Sequence, residues 1–269
     1  MKKKSIAVFT AAVLLVFSTR FYAQTGQIDG IAHIAFRVSN LDNEVDFFKK
    51  LGYEEPFSRS HDGKTTQAFI KINDRQFIEV YPQTDPPQQL GWMHVCYESA
   101  DLNALNALLE SNGLKPSHVV KAGAGNLIFS LKDPEGRTTE FTQYMPGSLH
   151  TMDQGKHLGE HRVSDELIGF ELPVADLAAA KQFYTALGFS AEEADGVVRL
   201  TAPGNPDMRI ELHSPRTVDQ AQTLFLVPDA RKAADEMHAQ GLDAKRHGKL
   251  VLLRDPDGNS FVFLEGSPE

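Results

Sequence analysis

Residues 33–53 read HIAFRVSNLDNEVDFFKKLGY, and residues 94–114 read HVCYESADLNALNALLESNGL. A displacement of 61 residues lays His33 on His94, Leu41 on Leu102 and Gly52 on Gly113, and beyond the quoted stretch it lays Glu79 on Glu140. A constant offset across four residue types marks an internal repeat, and repeats of this length are whole structural modules. The plan recurs further on: Phe47-Phe48-Lys49-Lys50-Leu51-Gly52-Tyr53 reappears 136 residues later as Phe183-Tyr184-Thr185-Ala186-Leu187-Gly188-Phe189, and Asp133-Pro134-Glu135-Gly136 returns as Asp255-Pro256-Asp257-Gly258. The chain therefore reads as four modules in two pairs.

Each module opens with a β-rich run, as at residues 31–38. An amphipathic helix follows over residues 41–51, with Val45, Phe48 and Leu51 at helical spacing and Gly52 as its stop. Three further extended runs, near residues 54–59, 66–72 and 76–81 in the first module, complete a βαβββ unit. The expected fold is α+β, with two paired-module domains at residues 29–145 and 165–266. Each is a cup-shaped mixed sheet with its helices outside. Residues 146–164, rich in His, Gly and polar residues, read as the linker.

The 269 residues, 41% of them hydrophobic, suffice for a core without staples, and the single Cys96 excludes a disulfide framework or a cysteine-based zinc site. A net charge of −9 argues against a nucleic-acid partner. Met1-Lys2-Lys3-Lys4 ahead of an apolar run to Phe17 reads as a secretory signal over residues 1–23. The expected product is periplasmic or secreted, with no stable membrane insertion after cleavage. An N-terminal membrane anchor is the alternative.

The opening strands of the first pair carry His33 and His94, and the closing strands carry Glu79 and Glu140, each Glu 46 residues after its His. Related by a pseudo-two-fold axis, these four would converge inside the cup. Imidazole with carboxylate suits one divalent ion such as Zn, Ni, Co, Mn or Fe(II). In the second pair the same slots hold Gly169, Glu211, Gln222 and Val262. That pair is expected to keep the fold without a metal, as support, dimer surface or lid. Strand alternation places Arg37, Tyr81, Cys96, Thr142 and Tyr144 on the ligand face. Of these, Arg37 and Tyr144 are candidates for binding a substrate anion or hydroxyl. The other eight histidines read as loop, turn or polar-helix residues.

Over residues 29–265, through GIAHIAFRVSNLDNEVDFFKKLGY, QFIEVYP, GWMHVCYE and DPEGRTTEFTQY, the chain resembles the vicinal oxygen chelate superfamily of glyoxalase I, extradiol dioxygenases and bleomycin-resistance proteins. The resemblance implies metal ligation by His33, Glu79, His94 and Glu140. It leans towards glyoxalase I, with two carboxylates in the ligand set. It also implies a lyase or isomerase reaction in which the metal stabilises an enediolate-like oxygen and a carboxylate, Glu140 first and Glu79 second, moves a proton. The alternatives are an extradiol ring-cleaving dioxygenase, with Glu79 a bystander, and a non-enzymatic small-molecule binder. A small-molecule substrate is the expected partner, and pairing of two chains as a homodimer is compatible with the repeat.

Overall fold

The structure, a computed structural model, describes residues 26–215, 217 and 219–266. The signal-segment reading falls on residues outside this range. In the first domain, β1 (Gly30–Val38), α1 (Leu41–Lys50), β2 (Glu54–His61), β3 (Lys64–Lys71) and β4 (Phe77–Pro82) form one βαβββ module. The second module is β5 (Gly91–Glu98), α2 (Leu102–Ser111), β6 (Val120–Lys121), β7 (Leu127–Lys132) and β8 (Thr138–Gln143). After the short α3 (Leu149–Met152), the third module runs through β9 (Glu166–Pro173), α4 (Leu177–Ala186), β10 (Ser190–Ala194), β11 (Val197–Thr201) and β12 (Arg209–His213). The fourth comprises β13 (Gln222–Val227), α5 (Ala230–Ala239), β14 (Lys245–His247), β15 (Leu250–Arg254) and β16 (Ser260–Glu265).

The described residues form two mixed eight-stranded sheets, ordered β2-β3-β4-β1-β5-β8-β7-β6 and β10-β11-β12-β9-β13-β16-β15-β14. In each, the opening strand of a module runs parallel to its closing strand, and the two modules meet where their opening strands pair antiparallel. That meeting point generates the pseudo-two-fold relation predicted from the repeat.

The local signals act as capping chemistry requires. Asn40, Asp101, Asp176 and Asp229 each accept a hydrogen bond from the backbone N–H three residues on, at the four long helices. Gly52, Gly113, Gly188 and Gly241 leave those helices at positive φ, between 75° and 100°, where a residue with a Cβ is strained. At Gly52 a Cβ would also lie 2.3 Å from the carbonyl oxygen of His161.

The two domains share one continuous apolar core. Phe261 of β16 packs against Phe36, Phe47 and Phe48 of the first domain, and Trp92 packs against Phe170. The Asp-Pro-x-Gly turns act across the same boundary. Asp257 accepts from the backbone N–H and hydroxyl of Ser39, at 2.7 and 2.6 Å, and Glu135 accepts from the backbone N–H of Ala175. Each turn thus clamps the approach to the first helix of the other domain, a reciprocal use of one repeated motif.

Residues 146–164, read as a linker, prove to be packed structure. The ammonium of fully buried Lys71 donates to the carbonyl and carboxylate of Asp153, at 2.7 and 2.9 Å, and to the carbonyl of Lys156 at 2.7 Å. The physical reason is charge. Lys71 faces inward on β3 and needs acceptors, and this segment supplies three of them beside the Asp74 carboxylate at 2.8 Å.

Candidate metal centre

The centre lies where β1, β4, β5 and β8 run side by side. Ala35 on β1 stands beside Glu79 on β4, and Cys96 on β5 stands beside Glu140 on β8; across the β1–β5 seam His33 stands opposite Cys96 and His94 opposite Ala35. The 61-residue repeat thereby becomes two mirrored His/Glu sets on one face.

Three of the four side chains converge. His33 Nε2 lies 3.1 Å from His94 Nε2, and Glu140 Oε2 lies 3.3 Å from His94 Nε2 and 3.8 Å from His33 Nε2. Bonds of about 2.1 Å to a common ion place neighbouring ligand atoms roughly 3.0–3.4 Å apart, so the triad has the spacing of a divalent transition-ion site. Burial fits as well: both histidines are almost fully enclosed while Glu140 keeps some exposure.

Glu79, expected as the fourth ligand, is placed differently. Its Oε1 lies 3.3 Å from Nδ1 of His33, the other ring nitrogen. Its Oε2 accepts from Gln67 Nε2 at 2.7 Å and from the Tyr81 hydroxyl at 2.8 Å. A carboxylate at Nδ1 favours a proton there and leaves Nε2 with its lone pair, the tautomer a metal requires.

The electrostatics follow from position. Burial, reinforced by the His94 imidazole, drives His33 down to about 3, so its ring is neutral and free to ligate. Burial raises Glu79 above the usual carboxylate range. Burial would raise Glu140 too, but the hydrogen bond from His94 leads the effects that outweigh it and hold Glu140 low. The two repeated carboxylates are therefore unequal.

A cavity of about 140 Å³ opens beside the triad, walled by His33, Glu79 and Glu140 together with Arg59, Gln67, Phe69, Tyr81, Tyr144 and His150. Tyr144 contributes its ring, but its hydroxyl donates to the carbonyl of Arg75 at 2.7 Å, so the hydroxyl role expected for it is already taken. Arg37 is absent from the wall and points to the carbonyl of Gln89 at 3.5 Å. Four residues along β1 carry it beyond the reach of the centre. Among the described residues the only cation of the wall is Arg59, whose guanidinium lies against Gly123. Cys96 is fully buried, as a small core residue should be, and burial pushes its thiol well up.

Sequence reasoning passed over Gln67, Arg59 and His150. A buried Gln within the apolar run of β3 was a usable signal; His150 offered none. It sits in the former linker, ringed by Phe57, Phe69 and Phe77, with Nδ1 2.9 Å from Asn126 Nδ2, and burial lowers it to about 4. His213 also departs from its loop reading, since it closes β12 and is buried. The remaining six histidines are exposed.

Comparison with known proteins agrees with this architecture. Residues 30–141 match the model of the Glyoxalase/Bleomycin resistance protein/Dioxygenase superfamily, and residues 167–196 match that of the bleomycin resistance protein-like N-terminal family. No curated protein matches the chain in sequence. Among solved structures, the 2,3-dioxygenase LapB from Pseudomonas sp. KL28 is similar at a TM-score of 0.67 and 19% identity, over 91% of this chain and 94% of that one. The Mn(II)-bound glyoxalase from Novosphingobium aromaticivorans is similar at 0.66 and 16%, over 89% and 83%. A catechol 2,3-dioxygenase is similar at 0.66 and 17%, over 90% and 89%. These likenesses concern the fold.

Proposed function

Because residues 30–141 belong to the Glyoxalase/Bleomycin resistance protein/Dioxygenase superfamily, we propose that the protein is a divalent-metal-dependent enzyme acting on a small substrate with two vicinal oxygens. His33, His94 and Glu140 would hold the ion. The observation that carries this reading is their convergence, with ligand atoms 3.1–3.8 Å apart, beside a cavity that His33 and Glu140 help to line. When bound, the ion supplies Lewis-acid stabilisation of negative charge on substrate oxygen.

The chain's own residues divide the remaining work. Glu79 stands in the cavity wall, off the ligand triad, where a carboxylate can take a proton from a carbon next to a carbonyl and return it one atom along. Gln67 and Tyr81 fix its orientation through Oε2. Phe69 and the Tyr144 ring keep water out, and Arg59 is placed to meet an anionic substituent. This arrangement supports a glyoxalase-type isomerase or lyase, with Glu79 rather than Glu140 as the base. The volume of about 140 Å³ is close to that of an engineered cavity of ~150 Å³ that takes up benzene. It suits one ring or a compound of a few carbons, not an enclosed tripeptide conjugate.

The same triad favours a second reading. Two His and one carboxylate with open positions are the ligand set of non-haem Fe(II) oxygenases, and extradiol ring cleavage would use Glu79 only to orient His33. Two measurements separate the readings. Solvent deuterium entering a 2-hydroxycarbonyl compound without oxygen uptake supports proton transfer. Oxygen consumption with catechols, dependent on Fe(II), supports ring cleavage. A purified protein that takes up no divalent metal, or whose metal content is undiminished in a His33→Ala, His94→Ala variant, would refute both.

A further inference from the structure

The second sheet carries a ligand set of its own, in which Glu211 keeps the slot that the repeat predicts while Glu171 and His213 stand at new positions. The slot equivalent to His33 is physically closed: Gly169 approaches β12 so tightly that a Cβ there would fall 1.6 Å from the carbonyl oxygen of Arg209. Two residues further along the same strand stands Glu171, directly across from Glu211 on β12. His213 follows Glu211 by two residues and shares its face. The intervening residues Phe170, Leu172, Ile210 and Leu212 all enter the common core, so Glu171, Glu211 and His213 occupy the opposite face of the sheet.

We propose that Glu171, Glu211 and His213 form a second divalent-cation site, independent of the first. His213 Nε2 lies 3.3 Å from Glu211 Oε2 and 3.7 Å from Glu171 Oε2, close to the separations produced by ligand bonds of about 2.1 Å. The second, independent observation is His213 itself. Its side chain is 8% exposed, yet neither ring nitrogen makes a hydrogen bond. A buried imidazole that makes no hydrogen bond costs free energy that a bound cation would offset. The Glu side chains are 26% and 29% exposed, which gives an ion a route in. Arg199 Nε donates to Glu211 Oε1 at 3.0 Å. It thereby orients that carboxylate with Oε2 towards His213, and it leaves a net charge of −1 on the cluster to face a dication. One imidazole with two carboxylates suits Mn(II) or Zn(II) over a thiophilic ion.

The test is metal stoichiometry in the full chain, by elemental analysis after equilibration with Mn(II) or Zn(II), alongside titration of a His33→Ala, His94→Ala variant followed by Mn(II) electron paramagnetic resonance. Two ions per wild-type chain, one in the His33→Ala, His94→Ala variant and none once His213→Ala is added to it, is the expected pattern. Glu171→Gln and Glu211→Gln, which preserve shape, should each weaken the remaining site at least tenfold, guarding against a His213→Ala chain that misfolds. One ion in the wild type that survives His33→Ala, His94→Ala and vanishes with His213→Ala would uphold this site while sinking the first. No binding to the His33→Ala, His94→Ala variant, or binding indifferent to His213→Ala and both Gln variants, would show that the cluster is only a His–Glu ion pair network and overturn the proposal.

Discussion

Glu79 and His33 meet at 3.3 Å, Oε1 to Nδ1, while Nε2 of the same ring faces His94 and Glu140. The contact gives the imidazole two jobs at once: it is held from behind by one carboxylate and offered in front to an ion beside another. Partners behind a ligating histidine set its tautomer and basicity, and their loss costs roughly 10–100-fold in metal affinity or activity.

Glu79→Gln should therefore retain metal at saturating concentration while proton-transfer activity falls by about 10²–10⁴-fold, as loss of a base requires. A fall of only about 10–100-fold would mark Glu79 as a residue that orients His33. Glu140→Gln should abolish binding at the His33–His94 centre and so lower the metal content by one ion per chain, because it removes the only carboxylate in the triad. Parallel metal analysis and turnover assays of the two variants check this. Equal metal loss in both would make Glu79 a fourth ligand.

Arg59 is the only cation that the described residues place in the cavity wall. Arg59→Met should raise KM for an anionic substrate at least tenfold with little change in kcat, and leave neutral analogues unaffected. Steady-state kinetics with a charged and an uncharged substrate pair measures the difference.

Glu44, on α1, is 1% exposed, and both its oxygens lack a hydrogen-bond donor. Burial, with Asp255 and Asp257 of the other domain close by, raises it to about 9. Asp255 is itself a carboxylate, so only a shared proton can link the pair. The folded value lies above the unfolded one, so the stabilising effect is complete below the unfolded value of about 4.5 and declines as pH rises towards 9, by at most about 1.4 kcal/mol per unit. Glu44→Gln should flatten this dependence and raise Tm most at the alkaline end of that window. Thermal denaturation at a series of pH values tests it.

Lys71 is fully buried and reaches Asp74 and Asp153 at 2.8 and 2.9 Å. Lys71→Met would take the buried cation from Asp153 Oδ2 and from the carbonyls of Asp153 and Lys156, a loss on the order of 3–5 kcal/mol. Activity should fall with stability, because the released segment carries His150 into the cavity wall. Denaturant unfolding gives the first quantity and turnover below the transition gives the second.

Phe261 joins the two domains through Phe36, Phe47 and Phe48. Phe261→Ala should cost about 3–5 kcal/mol, and the wild-type chain should unfold in one calorimetric transition, since its core is continuous. Two resolved transitions in the wild type would contradict that coupling.

The four-module plan, the helix stops at Gly52 and its equivalents, and the shared face of His33, His94, Glu79 and Glu140 were all determined by the chain as written. They depend on local backbone preferences and on a side-chain period of two, which act over a few residues and repeat with the sequence. What only the tertiary structure decided was where the polar heads of those side chains end. Glu79 turns to Nδ1 because Gln67 and Tyr81 draw its other oxygen. His150 enters the cavity because Lys71 anchors the segment that follows it, and Glu171 meets His213 because a glycine lets two strands close up. Such placements depend on contacts between residues remote in sequence, and no periodicity encodes them.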